Sequence, residues 1–135
     1  MEEKSEKHAA DYTILVVDDS EDMRVLLYEL LHEEEYTVLL AESGQEALDK
    51  ATLHHPHLIL MDMSLPGMSG WEAVKRLRQL DEFRTTPIIA VTAHTAKGDA
   101  ERSLAAGCTS HVDKPFDILA LLEQIEGLLM SSSIS

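Results

Sequence analysis

The chain has a single cysteine, Cys108, so no disulfide can close within it, and the composition fits a reducing compartment. Basic residues are scarce: 11 Lys and Arg stand against 25 Asp and Glu, a formal net charge of -14. That balance opposes binding to nucleic-acid phosphates or to an anionic membrane face, because both need clustered Lys and Arg to displace counterions. An acidic surface points instead to protein partners or cations. No apolar run reaches the roughly 18 residues that a membrane span needs. The start 1-MEEKSEKHAA-10 lacks the basic-then-apolar layout of a signal peptide, and the expected location is cytoplasmic. Internal repeats and low-complexity linkers are absent too. What is present is 135 residues, 44% hydrophobic and 27% charged, enough for one domain with a real core and too few for a second.

Residues 1–10 are polar without periodicity, and 131-SSSIS-135 is Ser-rich, so both are expected to lie outside a packed unit at 11–130, as a disordered lead and a flexible tail. Within that unit, apolar runs occur at 12-YTILVV-17, 36-YTVLLA-41, 57-HLILM-61 and 88-IIAVT-92, with a weaker one at 109-TSHV-112. Four of the five are continuous rather than alternating and rich in β-branched residues, which predicts strands buried on both faces. Amphipathic segments separate them. The first helix is expected from Ser20, an N-cap followed by Glu21 and Asp22, with Met23, Leu26, Leu27, Leu30 and Leu31 turned inward. Ser43 with Glu46 and Ser69 with Glu72 have the spacing of capping boxes for the second and third helices. A fourth helix follows Thr95 and stops near Gly107; a fifth starts near Asp117 with Leu119, Leu122, Ile125 and Leu129 inward. Strand alternating with helix five times implies an α/β fold, a doubly wound parallel sheet with helices on both faces.

In such a sheet, groups just after the strand C-termini converge on one crevice. The first strand ends in Asp18 and Asp19, the third in Asp62, the fourth in Thr92 followed by Ala93, and the fifth is followed by Lys114 and Pro115. Three carboxylates crowded together raise one another's pKa, and a divalent cation relieves that cost. Hard oxygen donors suit Mg2+ or Mn2+ better than zinc. Asp18 and Asp19 are then metal ligands, and Asp62, which stands alone, is the candidate nucleophile of a phosphoryl transfer that yields an acyl phosphate. Lys114 supplies positive charge and Thr92 a hydrogen bond to the phosphoryl oxygens. The rival reading, a metal-dependent phosphohydrolase, usually has a second carboxylate two residues after the nucleophile as general acid/base; here that place holds Ser64.

Together, 18-DD-19, 60-LMDMSLPGMSG-70, 91-VTA-93 and 113-DKPF-116 resemble the receiver domain of two-component response regulators, over essentially residues 11–130. The resemblance implies a flavodoxin-like five-stranded sheet of order 2-1-3-4-5 with five helices. It implies that Asp62 is phosphorylated from a phosphohistidine on a sensor histidine kinase or a histidine phosphotransfer protein. It also implies Mg2+ held by Asp19 and Asp62 directly, by Asp18 through water and by the Ser64 backbone carbonyl, and a cis bond before Pro115. Signalling in the family couples Thr92 to an aromatic residue of the fifth strand; here that place is taken by His111, smaller, more polar and titratable. Ser64 and His94 stand where the family tunes the access of hydrolytic water. Output is expected through protein contact on the face built from helix four, strand five and helix five, with neither nucleic acid nor membrane as partner. The charged lead and Ser-rich tail are read as natural ends, which favours a free-standing regulator over the receiver of a hybrid kinase.

Other conspicuous residues have blander readings. The cluster 54-HHPH-57 precedes the third strand at the edge away from the carboxylates, and no fourth ligand has a recognisable spacing, so it is read as a loop with solvated histidines. Cys108 is read as a small packed residue. Met61, Met63 and Met68 are adaptable packing around the turn after Asp62, and Gly98 softens the start of the fourth helix.

Overall fold

In the computed structural model, residues 9–92 and 99–134 are described. Five strands, β1 (Thr13–Val17), β2 (Thr37–Ala41), β3 (Leu58–Asp62), β4 (Ile88–Thr92) and β5 (Ser110–Asp113), form one sheet of order β2-β1-β3-β4-β5. All four pairings are parallel. The connecting helices are α1 (Glu21–Glu33), α2 (Gly44–His54), α3 (Gly70–Arg78), α4 (Asp99–Ala106) and α5 (Ile118–Ile134). No described helix is long and apolar enough to cross a membrane.

Side chains alternate across a strand, so the continuous apolar runs feed two cores. Ile14, Val16, Leu58, Leu60, Ile89 and Val91 pack against α1 and α5 through Leu27, Leu31, Leu121, Ile125 and Leu129. Leu15, Val17, Ile59, Met61, Ile88 and Ala90 face α2, α3 and α4, where Ala47, Ala51, Ala73, Val74, Leu77 and Ala106 lie. Small residues on the second set bring those helices close to the sheet. Met63 is fully buried in the same core, in keeping with packing around the turn.

The structure corrects several local expectations. β2 is an edge strand and only its last residue, Ala41, is buried, because one of its sides has no neighbouring strand. On α1 the buried pair is Leu27 and Leu31, one turn apart, while Leu26 is 41% exposed. On α5 the inward stripe is Leu121, Ile125 and Leu129, and Leu119 is 70% exposed. Both helices carry apolar residues around much of their circumference, so periodicity alone left the face open. α5 runs from Ile118 to Ile134.

The starts of α1, α2 and α3 carry the caps their sequence announces. Ser20, Ser43 and Ser69 accept from the backbone N–H of Met23, Glu46 and Glu72. The return arms of the two boxes differ from expectation: Glu46 accepts from Glu42 N–H rather than from its own N-cap, and Glu72 turns to Arg76. Asp117 accepts from Leu119 and Ala120 N–H at the start of α5. Gly107, with φ +119, ends α4 in a conformation costly to any residue with a Cβ. His57 departs from the solvated-loop reading. Its Nδ1 accepts from Thr13 N–H at 3.0 Å and its own N–H donates to the Thr13 carbonyl, so it pins the start of β1, whereas His54 and His55 are exposed. Cys108 is buried, as a packed residue would be.

Candidate functional site

Parallel pairing brings Val17 level with Met61 and Met61 level with Ala90, so the three central strands end together. The next residues outward are Asp18 on the first strand and Asp62 on the third, with Thr92 closing β4. Asp18, Asp62 and Thr92 are each no more than 3% exposed, although all are polar; Asp19 is exposed. Asp18, Asp19 and Asp62 each offer a carboxylate oxygen within 4.8 Å of the others.

Each group is held from nearby backbone. Asp18 Oδ1 accepts from Ser20 N–H at 2.9 Å, and the Asp18 carbonyl accepts from the Arg24 guanidinium at 2.8 Å. Asp62 Oδ1 accepts from Ser64 N–H at 3.0 Å, which fixes the carboxylate while leaving Oδ2 toward the pocket. The Lys114–Pro115 bond is cis, and Lys114 Nζ lies 3.1 Å from Asp18 Oδ2 and 3.9 Å from Asp62 Oδ2. Residues 96 positions apart in the chain thus meet as a half-buried ion pair.

Burial pushes the Asp62 carboxyl above its ordinary 3.8. The Ser64 N–H opposes this, Asp18 adds to it, Lys114 opposes and Asp19 adds. Among the described residues, the Lys114 ammonium does not cancel three acids. A pocket lined by oxygen donors, with a buried acid made reluctant to ionise, fits a hard divalent cation.

Thr92 reaches the same edge, but its hydroxyl donates to Asp113 Oδ1 at 2.6 Å, with the Val112 carbonyl 3.3 Å away. Pairing sets Thr92 beside Asp113 and Ala90 beside His111. Strand alternation therefore puts Thr92, His111 and Asp113 on one face, the side covered by α2, α3 and α4. His111 is half-buried there. Ala93, His94, Thr95 and Gly98 lie outside the described residues. Sequence reading missed Asp113 and Arg24. Asp113 stands in the motif 113-DKPF-116, but only the β4–β5 register sets it opposite Thr92, and the sequence carries no signal for Arg24.

The sequence matches the response regulator receiver domain family over residues 14–126. The polar-differentiation response regulator DivK of Brucella ovis is 41% identical over 117 residues, 87% of this chain and 95% of that protein. The chemotaxis protein CheY4 of Vibrio cholerae aligns with a TM-score of 0.82 at 32% identity, over 87% of this chain and 98% of that one. A chain from the co-crystal structure of the Saccharomyces cerevisiae histidine phosphotransfer signaling protein Ypd1 with the receiver domain of its downstream response regulator Ssk1 aligns at 0.84 and 28% identity, over 90% of this chain and 91% of that one. Such agreement across most of the length, on a sheet whose strand ends gather the acids and the lysine, makes this chain a member of the response regulator receiver family, a signalling switch of two-component systems.

Proposed function

We propose that Asp62 is the phosphoacceptor of this receiver and that Lys114 and Thr92 assist its phosphorylation. The donor is a phosphohistidine on a sensor histidine kinase or a histidine phosphotransfer protein. Ssk1, which was crystallised with such a protein, has a receiver domain, and that supports this class of partner. An Asp62 oxygen forms the new P–O bond as the P–N bond breaks, and the electron pair leaves with the imidazole nitrogen. Asp18, Asp19, Asp62 and the Ser64 backbone carbonyl would hold Mg2+ or Mn2+. When bound, that cation offsets charge on the phosphoryl oxygens. Lys114, tethered to Asp18 and 3.9 Å from Asp62, is placed to meet another phosphoryl oxygen.

In the phosphorylated state the Thr92 hydroxyl turns to the phosphoryl group, His111 moves behind it, and the face of α4, β5 and α5 changes its affinity for a downstream protein. Ser64 and His94 set how readily water hydrolyses the acyl phosphate. Phosphorylation and hydrolysis of its own Asp62 are the only chemistry in this reading. A cytoplasmic setting goes with a kinase-charged donor.

The observation that carries the reading is a buried, pKa-raised Asp62 at the end of the third strand with an ammonium 3.9 Å away. The test is intact mass after incubation with acetyl phosphate and Mg2+. One added phosphoryl group is expected, absent in Asp62→Asn and absent when the Mg2+ is chelated. Uptake that survives Asp62→Asn, or no uptake by the native chain, refutes it.

A further inference from the structure

We propose that Asp113 is a latch that holds the Thr92 hydroxyl away from Asp62 in the resting molecule, so that phosphoryl capture must break the Thr92–Asp113 hydrogen bond. This rests on the assignment of Asp62 as phosphoacceptor.

The geometry is specific. A hydroxyl has one proton and donates one strong hydrogen bond at a time. Thr92 spends it on Asp113 at 2.6 Å, the short distance of a bond to a charged acceptor. Thr92 is 2% exposed, so water cannot easily replace Asp113 as the acceptor. Asp113 is held opposite Thr92 by strand pairing, and the bond from Lys114 N–H to the Thr92 carbonyl, 2.7 Å, clamps the register immediately beyond it. The same hydroxyl therefore cannot serve Asp113 and a phosphoryl oxygen together. Resting and phosphorylated states compete for one proton.

Asp113 is thus a positioning residue. It acts through Thr92, and it lowers the resting affinity of the site for a phosphoryl group. Its neighbour in the chain is Lys114, so release of Asp113 and engagement of the ammonium involve adjacent residues of one segment.

A simpler account is that the Asp113 charge repels any incoming anion, with no part for Thr92. A thermodynamic cycle separates the two. Beryllofluoride binding in Mg2+ is measured by calorimetry for the native chain, Asp113→Ala, Thr92→Ala and the double variant. The latch predicts that Asp113→Ala binds roughly tenfold more tightly than the native chain, about 1.4 kcal/mol. It predicts no such gain in the Thr92→Ala background. The near-isosteric Asp113→Asn, which keeps an acceptor oxygen but loses the charge, is expected between the two. Without ligand, NMR couplings of the Thr92 side chain should report one rotamer in the native chain and averaging in Asp113→Ala. An equal gain in both backgrounds, or no gain in either, overturns the latch while the native chain still binds. A native chain that takes up no beryllofluoride overturns the phosphoacceptor assignment and the latch with it.

Discussion

Gly70 opens α3 under the end of β3, and replacing it with alanine should disturb the strand end that presents Asp62. A Cβ at Gly70 would lie 2.4 Å from the Asp62 carbonyl oxygen, 2.6 Å from Met63 Cα and 2.9 Å from Met63 Sδ. The sulfur can swing away, but the first two atoms are backbone. Close carbon–oxygen contacts run at about 3.3 Å, so helix and strand must separate by roughly 1 Å. Overpacking of this kind costs about 1–3 kcal/mol, and rigid neighbours place it at the upper end. Alanine's smaller backbone entropy loss returns roughly 0.5–1 kcal/mol, which leaves a net loss of about 2 kcal/mol. For a domain of this size that lowers Tm by roughly 8 °C. Because the displaced peptide is the one that carries Asp62, phosphoryl uptake should fall as well, by up to about a hundredfold for a shift of that size. Two other glycines supply controls in the same thermal melts. Gly67, with φ +71 and nothing within 4 Å of a Cβ, should lose about 1 kcal/mol as alanine, from strain alone. Gly127, exposed in α5 with open space around it, should gain about 1 kcal/mol. A Gly70→Ala protein as stable as the native chain, or no less stable than Gly67→Ala, refutes the close approach of α3 to β3.

Without metal, Asp62→Asn should melt higher than the native chain at pH 7. Burial raises the native Asp62 pKa above 3.8, so the proton is held more tightly folded than unfolded. Its contribution to stability is complete below pH 3.8 and lost as pH rises through the higher folded value. The gap between the two proteins should therefore narrow on acidification in EDTA, and a constant gap refutes the assignment. Arg78 donates to the carbonyls of Gly107, at 2.9 Å, and Phe83, joining the ends of α3 and α4. Arg78→Lys cannot reach both and should lose about 2 kcal/mol in urea unfolding; a loss near zero would show that the fork geometry is dispensable. Cys108, its thiol pushed up to about 12 by burial, should react with thiol reagents at pH 8 only as fast as the native chain opens.

The gathering of Asp18, Asp19, Asp62 and Lys114 was legible because a parallel sheet converts sequence into position. Each apolar run has one C-terminal end, and all of those ends lie on the same edge. The helix faces were less legible. Leu26 and Leu119 belong to stretches where apolar residues occur on several sides, and the buried face was decided by which residues met the sheet. β2 reads as doubly buried from its apolar run, although the order 2-1-3-4-5 that the family resemblance implies already sets it at the edge, where it lies. Asp113 stands in the motif 113-DKPF-116, but until β4 and β5 lie side by side nothing in the sequence gives its carboxylate a partner.

The electrostatics of the pocket explain why these acids are tolerated there. Among the described residues, three carboxylates within 4.8 Å crowd the Lys114 ammonium, an excess of acidic groups that a divalent cation would offset. Lys114 is closer to Asp18 than to Asp62, 3.1 Å against 3.9 Å, so the ammonium is anchored by an acid that stays put and Asp62 keeps a less committed oxygen. Reversing those distances would cover the reactive group and lower its pKa. Burial instead raises it, and the cost is spread over a sheet whose interior is otherwise apolar. The rest of the fold therefore supplies the stability that this edge gives up.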